Sequence, residues 1–329
     1  MLTGKKILLF VPEAFGYEKI IPTKMQEMGA VVDVYDERPS NSFLTKALIH
    51  INRRLLNWKI NRYFNSICSK EAKKNYDYIV FVRGEAVTIK ILQRLRIEHP
   101  NAKLILYLWD SILNNKNPLV THPYFDKVLT FQRNDAERHG FVFRPLFYTD
   151  IYKEIATCKD FVYDALFVGT VHSDRYYFIR DIERQLKNMN KKMMSFFVFR
   201  SQILYYRKKL FDKTYKYVRK EDFHFTPLSK KEVMKLVAQS KCLVDAQHPK
   251  QTGLTMRTIE AIGSCRKLLT TNEAIKEYDF YNPNNILVVD RFTPIVREGF
   301  LDSEYENLNK DVYDSYSLES WIKDVLKQN

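Results

Sequence analysis

Glycine is scarce in this chain, nine in 329 residues, which excludes a Gly-rich repeat or a loop-dominated fold. Cysteine is scarcer: Cys68, Cys158, Cys242 and Cys265 lie far apart, with no CxxC pair and no histidine at metal-ligand spacing. Neither a disulfide framework nor a zinc site is expected, and the four read as reduced, mostly buried thiols. No stretch approaches the roughly 20 apolar residues of a spanning helix. No leader is legible either, because Lys5 and Lys6 open directly into an apolar run that reads as a strand. Acids are in deficit, 39 Asp and Glu against 53 Lys and Arg, leaving a formal charge of +14. That surplus points to an anionic partner: nucleic acid, lipid head groups or a phosphorylated small molecule. A cytoplasmic protein able to lie peripherally on the inner face of the cytoplasmic membrane fits these absences.

What is present is globular composition, 45 % hydrophobic and 14 % aromatic, with length for two domains. The N-terminal half alternates buried strands with helices. Residues 6–12, 30–35, 78–82, 103–109 and 127–131 read as strands of a parallel sheet. Gly29 stands where the first helix should end. A connector of mixed character spans about 144–162. Strands at 163–168, 192–199, 242–245, 267–270 and 285–289, with helices from about 174, at 230–240 and from about 255, then form a second α/β half. The expected architecture is two Rossmann-like domains facing a central cleft, residues 1–150 and 160–312. A terminal helix within 313–329 has the option of crossing back to the first half.

Residues 245–272 hold the most specific pattern. A strand ends at Asp245, a loop delivers Gly253, Leu254 and Thr255 to a helix start, and Arg257 and Glu260 follow in its first turns. The unpaired amides and positive dipole end of a helix start suit a phosphate, and Arg257 adds a fixed cationic fork. Glu260 suits two adjacent ribose hydroxyls, and Gly263 allows close packing at the helix end. The order Gly-Leu-x-x-Arg-Thr-x-Glu-Ala-x-Gly, then an apolar strand and Thr-x-Asn, resembles the donor-binding segment of GT-B glycosyltransferases. More narrowly, the chain resembles bacterial lipopolysaccharide core and capsule biosynthesis glycosyltransferases, the spore-maturation-type group included. The opening from Lys6 through Glu13 to Tyr17, Tyr107 to Ser111, and Asp164 to Thr170 carry that likeness.

The resemblance implies a hexosyltransferase-type enzyme that uses a nucleotide-sugar without metal or other cofactor. It implies that Glu260 holds the ribose, that Gly253, Leu254 and Thr255 meet the diphosphate with Arg257 nearby, and that Gly169 and Thr170 approach from a facing loop. His172 and His248 lie close enough in sequence to these loops to be donor-binding candidates as well. One departure stands out: many retaining GT-B enzymes carry a carboxylate eight residues before the ribose-binding Glu, where this chain has Thr252.

An inverting transfer needs a base for the acceptor hydroxyl. Asp110, Glu13 and Glu85 sit at strand ends of the N-terminal half, where parallel sheets bind ligands, and each is a candidate. Gly16, Tyr17 and Arg83 complete an acceptor side. Two basic, aromatic stretches, 52–62 and 199–220, suit an anionic membrane surface that presents a lipid-linked or polysaccharide acceptor. Two alternatives remain: a sugar-nucleotide epimerase of the same fold, and a nucleic-acid-binding protein, for which no RNP, KH or helix-turn-helix signature is found.

Overall fold

The computed structural model describes residues 2–14, 16–171, 174–199, 201–212, 215, 217–247 and 253–327, and all but the side chain of His50 among them. The chain forms two compact units, residues 1–146 with 318–329, and residues 147–317. Residues 147–150 and 313–317, grouped with the N-terminal half from the sequence, fall in the second unit.

The first unit is an all-parallel sheet in the order β2-β1-β3-β4-β5-β6. Its elements run β1 (Lys6–Phe10), α1 (Tyr17–Glu27), β2 (Val31–Tyr35), α2 (Phe43–Asn52), α3 (Asn57–Glu71), β3 (Tyr78–Val82), α4 (Ile89–Glu98), β4 (Lys103–Leu108), α5 (Pro118–Thr121), β5 (Lys127–Thr130), α6 (Arg133–His139) and β6 (Val142–Phe143). Every residue of β3, and all of β1 and β4 but the leading lysines, is buried, as strands covered on both faces must be. The last helix of the chain, α13 (Leu318–Leu326), belongs to this unit, where Trp321 is fully buried with its ring edge-on to Tyr107, centroids 4.8 Å apart. The Lys127 ammonium closes the α13 C-terminus by donating to the carbonyls of Asp324 (2.8 Å) and Lys327 (2.9 Å), where helix dipoles favour a cation.

The second unit repeats the plan with the order β12-β11-β10-β7-β8-β9, again parallel throughout. It comprises α7 (Asp150–Ala156), β7 (Tyr163–Thr170), α8 (Arg175–Asn188), β8 (Met193–Val198), α9 (Gln202–Phe211), β9 (Phe223–His224), α10 (Lys230–Ala238), β10 (Ser240–Asp245), α11 (Met256–Gly263), β11 (Lys267–Thr270), β12 (Ile286–Val288) and α12 (Lys310–Ser315). The stretch read as a connector contains α7. Gly263 lets α11 end against Tyr148: a Cβ there would come within 2.6 Å of the Tyr148 Cβ and overlap its ring. Of the four thiols, Cys158 is exposed, Cys265 is half-buried and only Cys68 and Cys242 are buried.

Each sheet has one place where its connections leave in opposite directions, between β1 and β3 in the first and between β7 and β10 in the second. The carboxyl ends of the strands flanking such a point form the crevice in which parallel α/β sheets hold ligands.

Candidate functional site

At the first crevice the loops after β1, β2, β3 and β4 bring polar side chains into one connected chain. Glu13, exposed just beyond β1, accepts from Asn41 Nδ2 at 2.7 Å, and the same amide reaches Asp36 Oδ2 at 2.6 Å. Asn41 in turn accepts from Arg38 at 3.4 Å, and the Arg38 Nε is paired with Glu85 Oε1. The other Glu85 oxygen lies 3.0 Å from Arg83 Nε, and Arg83 Nη2 is 3.1 Å from Asp110 Oδ2. Asp110 Oδ1 accepts from the Ser111 amide and from Asn114, both at 2.9 Å. The structure therefore brings Glu13, Arg83, Glu85 and Asp110 together and adds Arg38, Asn41 and Asp36.

The turn that carries this cluster is strained. Arg83 has φ 96° and Gly84 φ 66°, the first in a region that side chains with a Cβ avoid. A Cβ at Gly84 would meet Leu106 Cδ1 at 2.6 Å. Two amides hold the turn: Asn115 Nδ2 donates to the Arg83 carbonyl (2.9 Å), and Asn117 Nδ2 to those of Gly84 (2.8 Å) and Val87 (2.9 Å). Gly16 caps α1 with φ 81°, and the buried Tyr17 packs edge-on to Trp109 at 4.8 Å, so its ring serves packing.

Glu37 lies beneath the cluster and was not singled out from sequence. It is fully buried, its Oε1 accepts from the Glu85 amide and more distantly from that of Ala86 (3.4 Å), and its Oε2 has no partner among the described residues. Burial, with the Glu85 carboxylate second, pushes its carboxyl from 4.5 up to about 8. The folded protein thus keeps a proton that the unfolded chain releases near 4.5. The stability this contributes is complete below the lower value and is lost as pH rises toward the upper one, by at most about 1.4 kcal/mol per pH unit. Thermal melts across that window should show Glu37→Gln gaining on the wild type as pH rises. A wild-type-minus-variant difference that stays flat with pH would contradict a protonated Glu37.

At the second crevice, Gly169 and Thr170 are the last two residues of β7, paired with Phe197 and Val198, and are not in a loop as the sequence suggested. Asp245 ends β10 with its Oδ2 accepting from Thr255 Oγ1 (2.7 Å) and Thr258 Oγ1 (3.4 Å), and burial raises its carboxyl above the usual range. Thr255 is the N-cap of α11, taking the Thr258 amide at 3.3 Å. Leu254 is buried and Gly253 accepts from Asn272 Nδ2 at 3.5 Å, so this segment offers backbone to the crevice. Arg257 and Glu260 form a half-buried ion pair at 2.8 Å one turn apart, and Arg257 also donates to the Val168 carbonyl at 3.3 Å.

Two arginines here were missed from sequence. Arg175 spans the crevice, donating to the carbonyls of Thr170 (3.1 Å) and Ala246 (2.7 Å from Nε). Arg291 donates to the Gln247 carbonyl (2.7 Å) and grips Asp174 with two bonds of 2.7 and 2.6 Å. Arg175 lies within electrostatic reach of Arg257, Arg291, Asp245 and Asp174, so three guanidiniums gather at this crevice, with Arg257 paired to Glu260 and Arg291 to Asp174. The available signal was Arg175's position just after the first strand of its sheet. His172, His248 and Thr252 lie outside the described residues. His224 is exposed and stacks on Phe196 at 3.9 Å.

No family model matches the chain, and no curated protein does either. Solved structures do. Sucrose-phosphate synthase from Thermosynechococcus elongatus aligns over 98 % of both chains with TM-score 0.58 and 12 % identity. Anabaena HepE, solved with UDP and glucose, covers 98 % of this chain and 96 % of its own at TM-score 0.54 and 11 % identity. UDP-GlcNAc 2-epimerase from Neisseria meningitidis, bound to UDP-GlcNAc, covers 98 % and 100 % at TM-score 0.53 and 10 % identity. The chain has the GT-B fold. At these identities the likeness concerns the fold, and glycosyltransferases and an epimerase share it.

Proposed function

We propose that this chain is a glycosyltransferase that moves a sugar from a nucleotide-sugar to a lipid-linked or cell-surface glycan, in the manner of lipopolysaccharide or capsule assembly. The observation that carries the reading is the second crevice: a capped helix start, three guanidiniums and the Arg257–Glu260 pair at the switch point of a GT-B sheet. In this reading the second unit takes the donor. Glu260 exchanges its bond to Arg257 for the ribose hydroxyls, which frees Arg257 for the diphosphate beside the α11 amides, with Gly169, Thr170, His172, His248 and the 253–255 backbone around the ligand. Arg257, Arg175 and the helix start neutralise the leaving diphosphate, so the transfer runs without metal. The first unit takes the acceptor, with Arg83 and Arg38 as its cations and Gly16 and Tyr17 beside it, at the cytoplasmic face of the membrane. A specific observation also favours a second reading, since the fold is shared with a UDP-GlcNAc 2-epimerase. Conversion of the free nucleotide-sugar without any acceptor would establish that one instead.

The test is a thermal-shift screen against UDP, GDP, CDP, TDP and CMP and their sugars. A ligand bound only by the native state raises the melting temperature by mass action. One nucleotide is expected to stabilise the protein, and Glu260→Ala to weaken it roughly 10- to 100-fold, the worth of one or two hydrogen bonds to a carboxylate. Absence of any nucleotide shift alongside tight oligonucleotide binding would overturn the reading.

A further inference from the structure

Residues 38–70 contain Arg38, Lys46, Arg53, Arg54, Lys59, Arg62 and Lys70 and no Asp or Glu. Within them α2 is apolar on both sides. Thr45 and Ile49 face the protein and are buried, whereas Phe43, Leu44 and Ile51 are 83, 71 and 78 % exposed, with Ala47 and Leu48 between them half-buried. Positions 43, 44, 47, 48 and 51 are the spacing of one helical stripe, which in a soluble helix packs inward. Here that stripe meets solvent. The 3₁₀ turn Arg53–Leu56 and the start of α3 extend the exposure with Leu55 and Trp58, 63 and 67 % exposed, and Arg62 one turn beyond Trp58. Single exposed apolar residues are ordinary; five on one acid-free arm are not.

We infer that this arm, α2 through the start of α3, is a docking element for an anionic bilayer: its apolar stripe enters the interface and its cations meet the head groups. Charge complementarity selects this occupant, since Lys46, Arg54, Lys59 and Arg62 stand on an arm with no acid of its own and leave a protein partner to supply all the anions. The exposed aliphatics Leu44, Ile51 and Leu55 select against nucleic acid, which is gripped through stacking rings and phosphate contacts. Among the described residues no helix is long and apolar enough to cross a membrane, so the arm lies on the surface. α9 of the second unit has the same character, with Ile203, Leu210 and Phe211 exposed beside Arg207, Lys208 and Lys209.

The arm is bolted to the first crevice. Arg53 donates to the carbonyls of Val87 (2.6 Å) and Ala86 (3.4 Å), Asn61 accepts from Thr88 Oγ1 (2.6 Å), and the Tyr63 hydroxyl donates to the Asp36 carbonyl (2.8 Å). These anchors flank Glu37–Arg38 and Arg83–Glu85, so docking fixes the carboxylate–guanidinium cluster relative to the lipid surface. That the docking serves a lipid-borne acceptor rests on the glycosyltransferase reading; the docking itself does not.

The experiment is flotation of the full chain with phosphatidylcholine vesicles, with and without phosphatidylglycerol, read together with tryptophan emission. Trp58 is the exposed one of three tryptophans, Trp321 being fully buried, so a blue shift on binding reports insertion of the arm. Anionic vesicles are expected to bind at least about tenfold tighter than neutral ones, with a blue shift that Trp58→Ala removes. Leu44→Ser with Ile51→Ser should weaken vesicle binding about tenfold or more, leaving the nucleotide thermal shift unchanged. Failure to bind anionic vesicles would overturn the inference. So would vesicle binding indifferent to Leu44→Ser and Ile51→Ser, or an oligomer in solution that those substitutions dissolve. Vesicle binding without any nucleotide shift would keep the docking and reject the glycosyltransferase.

Discussion

Glu13→Gln is expected to lower sugar transfer by about 10²- to 10⁴-fold, the usual contribution of a positioned general base, with nucleotide affinity unchanged. Three carboxylates compete for the role, and their partners decide between them. Both oxygens of Glu85 are held by guanidiniums, Arg38 and Arg83. Asp110 has one oxygen on Arg83 and the other on the Ser111 amide and Asn114. A lone pair already committed to a cation is poorly placed to take a proton. Among the described residues the Glu13 carboxylate accepts from one neutral donor, Asn41, and it is exposed at the carboxyl end of β1 beside the switch point. On the glycosyltransferase reading Glu85 then positions Arg38 and Arg83, the two guanidiniums it pairs with. Steady-state rates of Glu13→Gln, Asp110→Asn and Glu85→Gln with saturating donor separate the three. Near-normal turnover in Glu13→Gln with an inactive Asp110→Asn would move the base to Asp110.

The largest effect on stability should come from Arg266→Met, about 3–5 kcal/mol. Arg266 is 2 % exposed and, among the described residues, its charge faces no carboxylate. Instead its guanidinium donates to five carbonyls: Ile155 (2.9 Å) and Cys158 (2.9 Å) at and beyond the end of α7, Val237 (3.3 Å) and Ala238 (3.2 Å) at the end of α10, and Ser264 (3.0 Å) after α11. Three helices thus turn their partial negative ends on one cation, and together they repay the cost of burying it. Burial still lowers its affinity for a proton, yet a guanidinium stays charged at any working pH. Methionine fills much of the space and leaves the carbonyls unpaired. Denaturant titration of wild type and variant measures the change; a loss below about 1 kcal/mol would mean that water takes over the arginine's role.

Much of the fold is legible because its strands are buried on both faces. Runs such as 6–10, 78–82 and 103–108 need no periodicity analysis. The 245–272 segment is legible for another reason: strand end, cap and first helical turn are consecutive in sequence, so their chemistry is local. What stayed hidden depends on distant contacts. Glu37 gains its meaning from an amide 48 positions away, and Arg266 from carbonyls as far as 111 away. The helix α2 escaped notice because apolar residues on both its sides erase the amphipathic period, which is also what marks it as an interfacial element. The family resemblance puts Gly169 and Thr170 in a loop, whereas their pairing with β8 carries the strand through them.

The return of α13 to the first unit has a consequence for how this protein is made. Chains emerge from the ribosome N-terminus first, and domains generally fold as they appear. Here the second unit, residues 147–317, is complete before the first, which still lacks residues 318–326. Until they arrive, the place filled by Leu318, Trp321, Ile322, Val325 and Leu326 stands open and Tyr107 lacks the indole that covers it. A nascent chain that stalls before residue 318 therefore leaves this apolar place in its first-made unit uncovered, open to chaperones and proteases.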